Sequence, residues 1–305
     1  MKSGASYAVV TDIKITNFNV ERCGWQKSER RHDLAKVVSQ LADSADVDGA
    51  PDVLMLTECT HLLRFAQAPL WELVGRLNSL LPNNQVYYPF MSTKEGSTNP
   101  PGLFVNSATV SPIEWYVPGD DWTSATNDNW LLARIGGIEV WINSLHWDGS
   151  QGPEHFLTQS SRLANMAGRS VLVAGDFNAT SSAPGEAIPA DWVDRNQATP
   201  WKLTQKSHLP VPRRLGGTWE VHTEPIDRVL EAGFVDAGQQ AEDFTVTVND
   251  GIDNGLEMRI DRILASRRLL ERASFVDGTY RVVIPEPDKQ ISDHREVSVR
   301  MAIGN

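Results

Sequence analysis

Cysteine is nearly missing from this chain: Cys23 and Cys59 are the only two in 305 residues. Two are too few for a disulfide framework, and they lack the paired spacing of a zinc site, so both read as reduced thiols. No apolar run approaches the roughly 18 residues that a membrane span requires. The opening MKSGASYAVV has no apolar stretch followed by a small-residue cleavage site, which makes a soluble cytoplasmic protein the expectation. No repeat is visible, and no Pro/Gly/Ser-rich linker divides the sequence cleanly, so a single domain over residues 1–305 is expected. Positive charge is also short, with 28 Lys and Arg against 39 Asp and Glu and a net charge of −11. That excludes broad attraction to a phosphate backbone and leaves only a local basic patch or bound metal ions to attract a polyanion.

What is present is a core, with 41% hydrophobic residues, arranged as strand-like runs alternating with amphipathic helical ones. This is the pattern of an α/β chain. DIKITNFNV alternates so that Ile13, Ile15, Asn17 and Asn19 share one face. SERRHDLAKVVSQLADS reads as a helix with Ser28 as N-cap and Leu34, Val37, Val38 and Leu41 as its buried stripe. PDVLMLTE is a buried strand ending at Glu58, and APLWELVGRLNSLLPNN a second helix with Pro69 in its first turn and Leu73, Val74, Leu77 and Leu80 on one side. GIEVWINSLHW returns as a strand ending at His146, and GPEHFLTQSSRLANMAGRS is a third helix. In SVLVAGDFNAT, Val171 to Ala174 form a buried strand that Gly175 breaks, and in an extended chain Asp176 and Asn178 then point the same way. The last strand alternates Val297, Val299 and Met301 with Ser298 and Arg300, so one of its faces is expected to be wet.

These strands share a feature: each apolar run delivers a polar side chain at or near its end. The set is Asn19, Glu58, His146, Asp176 with Asn178, Asp261 inside RIDRIL, and Asp293 with His294 before the last strand. Each has an ordinary structural explanation, such as a turn, a solvated strand end, a structural histidine or a loop cap. Together, carboxylates, amides and imidazoles are the inventory of metal-assisted hydrolysis.

In this order the motifs resemble the endonuclease/exonuclease/phosphatase superfamily. TNFNV is similar to its first motif, LTE to its second, NSLHW to its histidine strand and GDFNAT to its signature. RIDRILAS and SDHREV are similar to its last two motifs, with AGFVDAG at 232–238 fitting the segment before them. The resemblance implies a four-layer α/β sandwich, with two packed mixed β-sheets, outer helices and an active site where strand ends converge. It implies metal ligation by Glu58, with Asn19 and Asp293 completing or adjoining the shell. It further implies that Asp176 orients or deprotonates the attacking water and Asn178 holds the phosphate. His294 ordered by Asp261 would be a second catalytic group, and His146 would contact a phosphate oxygen or protonate the leaving group. Oxygen donors of this kind suit Mg²⁺, with Mn²⁺ as a possible substitute. The chain departs from the family in GLFVNSATVSP, in Arg295-Glu296 after the last histidine, and in lacking the aromatic and arginine that follow GDFN in inositol-polyphosphate phosphatases.

The resemblance implies a phosphoester substrate, and three readings are open: a nuclease, a phosphatase or phosphodiesterase of a small metabolite or lipid headgroup, and a binding protein without chemistry. The filled motif positions argue against the third. Between the others, the segment 195–217 is informative. It carries Arg195, Lys202, Lys206, Arg213 and Arg214 with Trp201 and no acidic residue. It is either a solvated loop or a basic arm in which Lys202, Lys206, Arg213 and Arg214 bind substrate, following a nucleic-acid backbone or clamping one phosphorylated metabolite. Nucleic acid is slightly favoured.

Overall fold

A computed structural model describes residues 10–82, 84–92, 99–116, 128–147, 153–186, 188, 191, 194, 207–208, 220–248 and 257–304. Two mixed sheets dominate it. In chain order the first contains β1 (Val10–Asn19), β2 (Val53–Thr57), β3 (Tyr87–Met91) and β4 (Gly102–Asn106). The second contains β5 (Ser111–Tyr116), β6 (Asp128–Ile135), β7 (Ile138–His146), β8 (Val171–Asp176), β9 (Phe234–Asp236) and β10 (Asp261–Ser266). The chain then returns to the first sheet with β11 (Ala273–Phe275), β12 (Arg281–Val283) and β13 (Glu296–Gly304). Strand order is β11-β13-β1-β2-β4-β3 with β12 also on β13, and β9-β10-β8-β7-β6-β5.

Period-two alternation explains how the sheets meet. Ile13 and Ile15 of β1, Val53 and Met55 of β2, and Val297, Val299 and Met301 of β13 pack against Ile142, Leu172, Ala174, Ile263 and Ala265 of the second sheet. The opposite faces take the helices. Leu54, Leu56 and Phe104 meet Leu34, Val37 and Leu41 of α1 (Leu34–Asp48) and Leu73 and Leu77 of α2 (Ala68–Asn78). On the other sheet Leu145, Val171, Val173 and Leu264 meet Phe156 and Leu163 of α3 (Pro153–Ala164) and Ile226 and Val229 of α4 (Glu224–Glu231). Each such side chain contributes on the order of 1.5–3 kcal/mol of burial. The result is the expected four-layer α/β sandwich.

The structure differs from the sequence reading at three points of the scaffold and, in the site, at Asn178. Helix α1 begins at Leu34 after Asp33, not after Ser28. Trp25–Gln26 pairs antiparallel with Arg31–His32 across a turn at 27–30, and Asp33 N–H donates to Gly24 O at 2.9 Å, so a hairpin occupies the chain through His32. Gly175 does not break its strand. It pairs with Leu145 and Arg262 within β8, and a Cβ there would lie 1.8 Å from Leu145 O, so glycine is required by the close approach of β7. Finally, the even-numbered face of β13 is wet only in its second half, where Arg300 and Ala302 remain partly exposed, while Glu296 and Ser298 are buried. The C-terminal end of α1 lies against this face: Lys14 Nζ reaches Asp48 and Gly49 O, and Arg300 Nη1 donates to Asp48 O at 3.0 Å.

Candidate active site

The inter-sheet layer changes character at one end. Inward positions that are apolar through the middle become Asn17 and Asn19 on β1, Ser144 and His146 on β7, Asp176 on β8 and Asp261 on β10, all buried. Register aligns them: Asp176 sits opposite His146 on the parallel strand β7 and opposite Asp261 on the antiparallel strand β10. Three neighbouring strands thus present an imidazole and two carboxylates in a row. From the other sheet, Asn19 lies opposite Thr57, and Glu58 follows directly.

Asp176 Oδ2 is the hub. It accepts from Asn19 Nδ2 at 3.2 Å and Asn178 Nδ2 at 3.2 Å, with His146 Nε2 at 3.5 Å and His294 Nε2 at 3.8 Å. Asn178 does not arrive by strand alternation. Its backbone is left-handed at φ 50°, and its N–H donates to Asp176 Oδ1 at 2.7 Å. The pair is therefore an Asx turn, and that turn is what brings the carboxamide back over the carboxylate. Asn178 Nδ2 also donates to Trp147 O at 3.0 Å and lies 3.4 Å from His146 Nε2. Glu58 too is left-handed, at φ 59°. For a residue other than glycine this costs roughly 1–2 kcal/mol and persists where the surroundings over-determine it.

The two histidines are fixed differently. His294 Nδ1 and Asp261 Oδ2 are 2.7 Å apart, while Asp261 N–H and Ile260 N–H both donate to Thr247 Oγ1 at 3.0 Å. Burial disfavours the charged ring of His294, but the carboxylates of Asp261 and Asp176 outweigh it and hold its pKa at about 10. Burial pushes the Asp261 carboxyl upward, opposed by His294. The pair retains a proton tightly, and the second carboxylate facing the ring keeps it on the imidazole. For His146 burial is again the largest effect, overcome by Asp176 and then Glu58, so its pKa is also raised. Among the described residues His146 Nδ1 has no hydrogen-bond partner.

Glu58 and Asp293 flank this hub. Glu58 Oε1 is 3.9 Å from His146 Nε2 and 3.4 Å from Asn19 Nδ2, and Asp293 Oδ1 is 4.0 Å from His294 Nε2. Their side chains remain 18% and 29% exposed, against 2% for Asp176 and 0% for Asp261, so they face the opening. Among the described residues neither has a Lys or Arg partner. A cluster of carboxylate oxygens with no Lys or Arg partner, beside a buried carboxylate, fits a hard divalent cation. The three groups with donor atoms all within 4.8 Å of one another are Asp176, Asp261 and His294. Asp261 and His294 already satisfy each other, so Glu58, Asp176 and Asp293 are the carboxylates that could hold an ion, although their donor atoms are not all within 4.8 Å of one another. Asn19 presents its amide nitrogen to Glu58 and Asp176, while its oxygen accepts from Glu21 N–H at 3.1 Å.

Every site residue anticipated between Asn19 and His294 on a described segment is thus in this cluster. Lys202, Lys206, Arg213 and Arg214 lie outside the described residues. Four contributors were not anticipated. Asn17 Nδ2 donates to Asp261 Oδ1 at 3.5 Å, and its period-two relation to Asn19 is the signal that could have found it. Ser292 Oγ donates to Asn19 O at 2.6 Å and accepts from His294 N–H at 3.0 Å, tying the last motif to the first. Thr247 carries no recognisable sequence signal. The Glu21 carboxyl is pushed up by burial, then by Asp293 and Glu58, which places it at the rim of the same cluster.

Fold and site together define a metal-dependent phosphoesterase of the kind built on two packed mixed sheets. The chain belongs to the endonuclease/exonuclease/phosphatase family, whose pattern it matches over residues 16–294. It is similar in structure to an AP endonuclease from Archaeoglobus fulgidus, with 20% identity, a TM-score of 0.56, and 96% of this chain and 99% of that one covered. It is similar to the 3′ phosphatase NExo from Neisseria bound to product DNA hairpin, with 17% identity, a TM-score of 0.57, and 94% and 98% covered. It is also similar to the endonuclease/exonuclease/phosphatase from Bacteroides vulgatus, with 13% identity, a TM-score of 0.62, and 96% and 99% covered. Among curated proteins no sequence matches significantly. No helix among the described residues is long and apolar enough to cross a membrane.

Proposed function

We propose that the protein is a Mg²⁺-dependent nuclease that hydrolyses phosphodiester bonds, with Mn²⁺ able to replace Mg²⁺. The observation that carries this reading is the convergence of Asn19, Asn178, His146 and His294 on Asp176 Oδ2, flanked by Glu58 and Asp293. Glu58 and Asp293, with Asp176 behind them, would hold the ion, and Asn19 braces Glu58 and Asp176 rather than ligating. When bound, the ion neutralises charge developing on a phosphoryl oxygen.

The chain's own residues supply the rest. Asp176, buried and held by two amide donors, is fixed to accept a proton from, and orient, an attacking water. The charged ring of His294, steadied by Asp261, stabilises the added negative charge of the pentacovalent state. His146 Nε2, within 3.9 Å of Glu58 and 3.5 Å of Asp176, is placed to donate to another phosphate oxygen or to the leaving group. Asn178 spends its two amide hydrogens on Trp147 O and Asp176 Oδ2, so it braces the Asp176 carboxylate and would turn a donor to the phosphate only by releasing one of them.

Nucleic acid is favoured over a small phosphorylated metabolite by charge distribution: in a chain of net charge −11, Arg22, Lys27, Arg30 and Arg64 line one cavity together with Thr60, whose N–H donates to Glu58 O at 2.7 Å. The DNA bound by the Neisseria phosphatase is in keeping with this reading. The test is purified protein with Mg²⁺ or Mn²⁺ on plasmid DNA, single-stranded oligonucleotides, RNA and a panel of phosphomonoesters, with Glu58→Ala as control. Cleavage of the polynucleotides, lost in the control, supports the reading. Turnover of phosphomonoesters alone would replace it with a small-molecule phosphatase.

A further inference from the structure

The chain between β1 and α1 and the turn after β2 build a second feature beside the catalytic cluster. Arg22, Trp25, Lys27, Arg30, His61 and Arg64, with Thr60 and Asn99, line a cavity of about 590 Å³, and no acidic side chain lines it. That volume lies within the about 300–1,000 Å³ of pockets that enclose small ligands. Among the described residues Arg22, Lys27, Arg30 and Arg64 make no ion pair, although carboxylates outnumber cations in the chain as a whole. Four unpaired cations gathered on one concave surface repel one another unless an anion lies between them.

The surface is held in place. Glu21, Arg22, Cys23 and Gly24 are consecutively left-handed, at φ 38°, 59°, 53° and 65°, a strained run in a segment where Cys23 is buried. The indole of Trp25 is set against His32 and His61, at ring-centroid distances of 4.9 and 4.7 Å. His32 Nε2 is fixed in turn at 2.8 Å from Thr60 O. The two ends of the cavity wall are covalently continuous with the site, Arg22 three residues from Asn19 and Thr60 two from Glu58. Next to Arg22, Glu21 N–H donates to Asn19 Oδ1 at 3.1 Å, and Thr60 N–H donates to Glu58 O at 2.7 Å, so both ends of the wall touch residues of the cluster.

We propose that this cavity receives an unpaired nucleotide strand adjoining the phosphodiester that is hydrolysed, with its phosphates between Lys27, Arg30 and Arg64 and a base on Trp25. This inference rests on the nuclease reading and adds a substrate class to it. Cationic grooves interleaved with aromatic side chains bind single strands in this way, because every base has a stacking face. A concavity accepts a strand whose bases turn outward, whereas the stacked bases of a duplex cannot reach its wall.

The test is binding of a fluorescein-labelled single-stranded oligonucleotide, with Ca²⁺ in place of Mg²⁺ to suppress cleavage, followed by anisotropy across a salt series. Wild type is compared with Lys27→Ala/Arg30→Ala/Arg64→Ala and with a control of equal charge change, Arg134→Ala/Arg268→Ala/Arg281→Ala, on surfaces away from the site. Each lost phosphate contact lowers the log–log salt slope by about 0.7 for a single strand. The cavity variant should thus lose about 2 from the slope and the control should lose none, with a blunt duplex bound similarly by all three proteins. Equal slopes in wild type and cavity variant, equal losses in both variants, or duplex binding as sensitive as single-strand binding would each overturn the inference. Mg²⁺-dependent cleavage by a protein with unaltered slopes would leave the nuclease reading standing alone. Cavity-dependent binding without hydrolysis of any phosphoester would do the reverse.

Discussion

His294 Nδ1 and Asp261 Oδ2, brought together from β10 and the turn before β13, are 2.7 Å apart with both side chains buried. His294 is held charged to about 10, above its ordinary 6.5, despite burial and because Asp261 and Asp176 face it. A raised imidazole pKa stabilises the fold fully below about 6.5 and loses that contribution as pH rises through about 10. Urea denaturation of Asp261→Asn should show a deficit of about 3 kcal/mol at neutral pH. The deficit should shrink as pH approaches 10, and in the metal-free variant the His294 ring should titrate lower by NMR. A deficit independent of pH would mean that the pair is not charged.

The kinetic counterpart concerns Asp176 and His294, whose reactive atoms are 3.8 Å apart. Asp176→Asn and His294→Ala should each lower kcat by about 10²–10⁴ while changing KM little, because both act on the transition state. As members of one unit their losses should not multiply, and the double variant should be little worse than the poorer single one. Multiplying losses would separate their roles.

Two glycines should respond oppositely to the same change. At Gly175 a Cβ would overlap Leu145 O at 1.8 Å, so Gly175→Ala must push β7 and β8 apart and should cost several kcal/mol or prevent folding. Gly75, in the middle of α2, has open space around its Cβ position, and Gly75→Ala should stabilise by about 0.5–1 kcal/mol. Thermal melts of the two variants check both signs.

Much of this was legible from sequence because strand alternation carries it directly. Ile13 and Ile15 point into the same layer as Asn17 and Asn19, so one periodicity marks the core and the polar end of the strand, while the roles of the site residues came from the resemblance of the motifs. The same rule failed one residue past the strand: Asn178 reaches the site through an Asx turn, and its left-handed backbone leaves no mark in an alternation pattern. Ser28 misled because its capping chemistry is local, whereas the pairing of Trp25–Gln26 with Arg31–His32 that delays α1 is set by tertiary contacts. The expectation of a wet face on β13 holds for Arg300, which is partly exposed, and fails for Ser298, which is buried, because polar residues mark solvent only when nothing covers them. Thr247 was invisible for a related reason, since its hydroxyl serves backbone groups at Ile260 and Asp261, far along the chain.

The central claim is that the open side of this cluster binds a divalent cation through Glu58, and calorimetric titration of Mg²⁺ tests it most directly. Glu58→Ala removes a partly exposed carboxylate at the end of a strand buried by Leu54, Met55 and Leu56, so the fold should be retained by circular dichroism. The account predicts Mg²⁺ affinity at least about tenfold weaker than wild type, with phosphodiester hydrolysis lost in parallel. Mg²⁺ binding of unchanged affinity by a folded Glu58→Ala protein would contradict it.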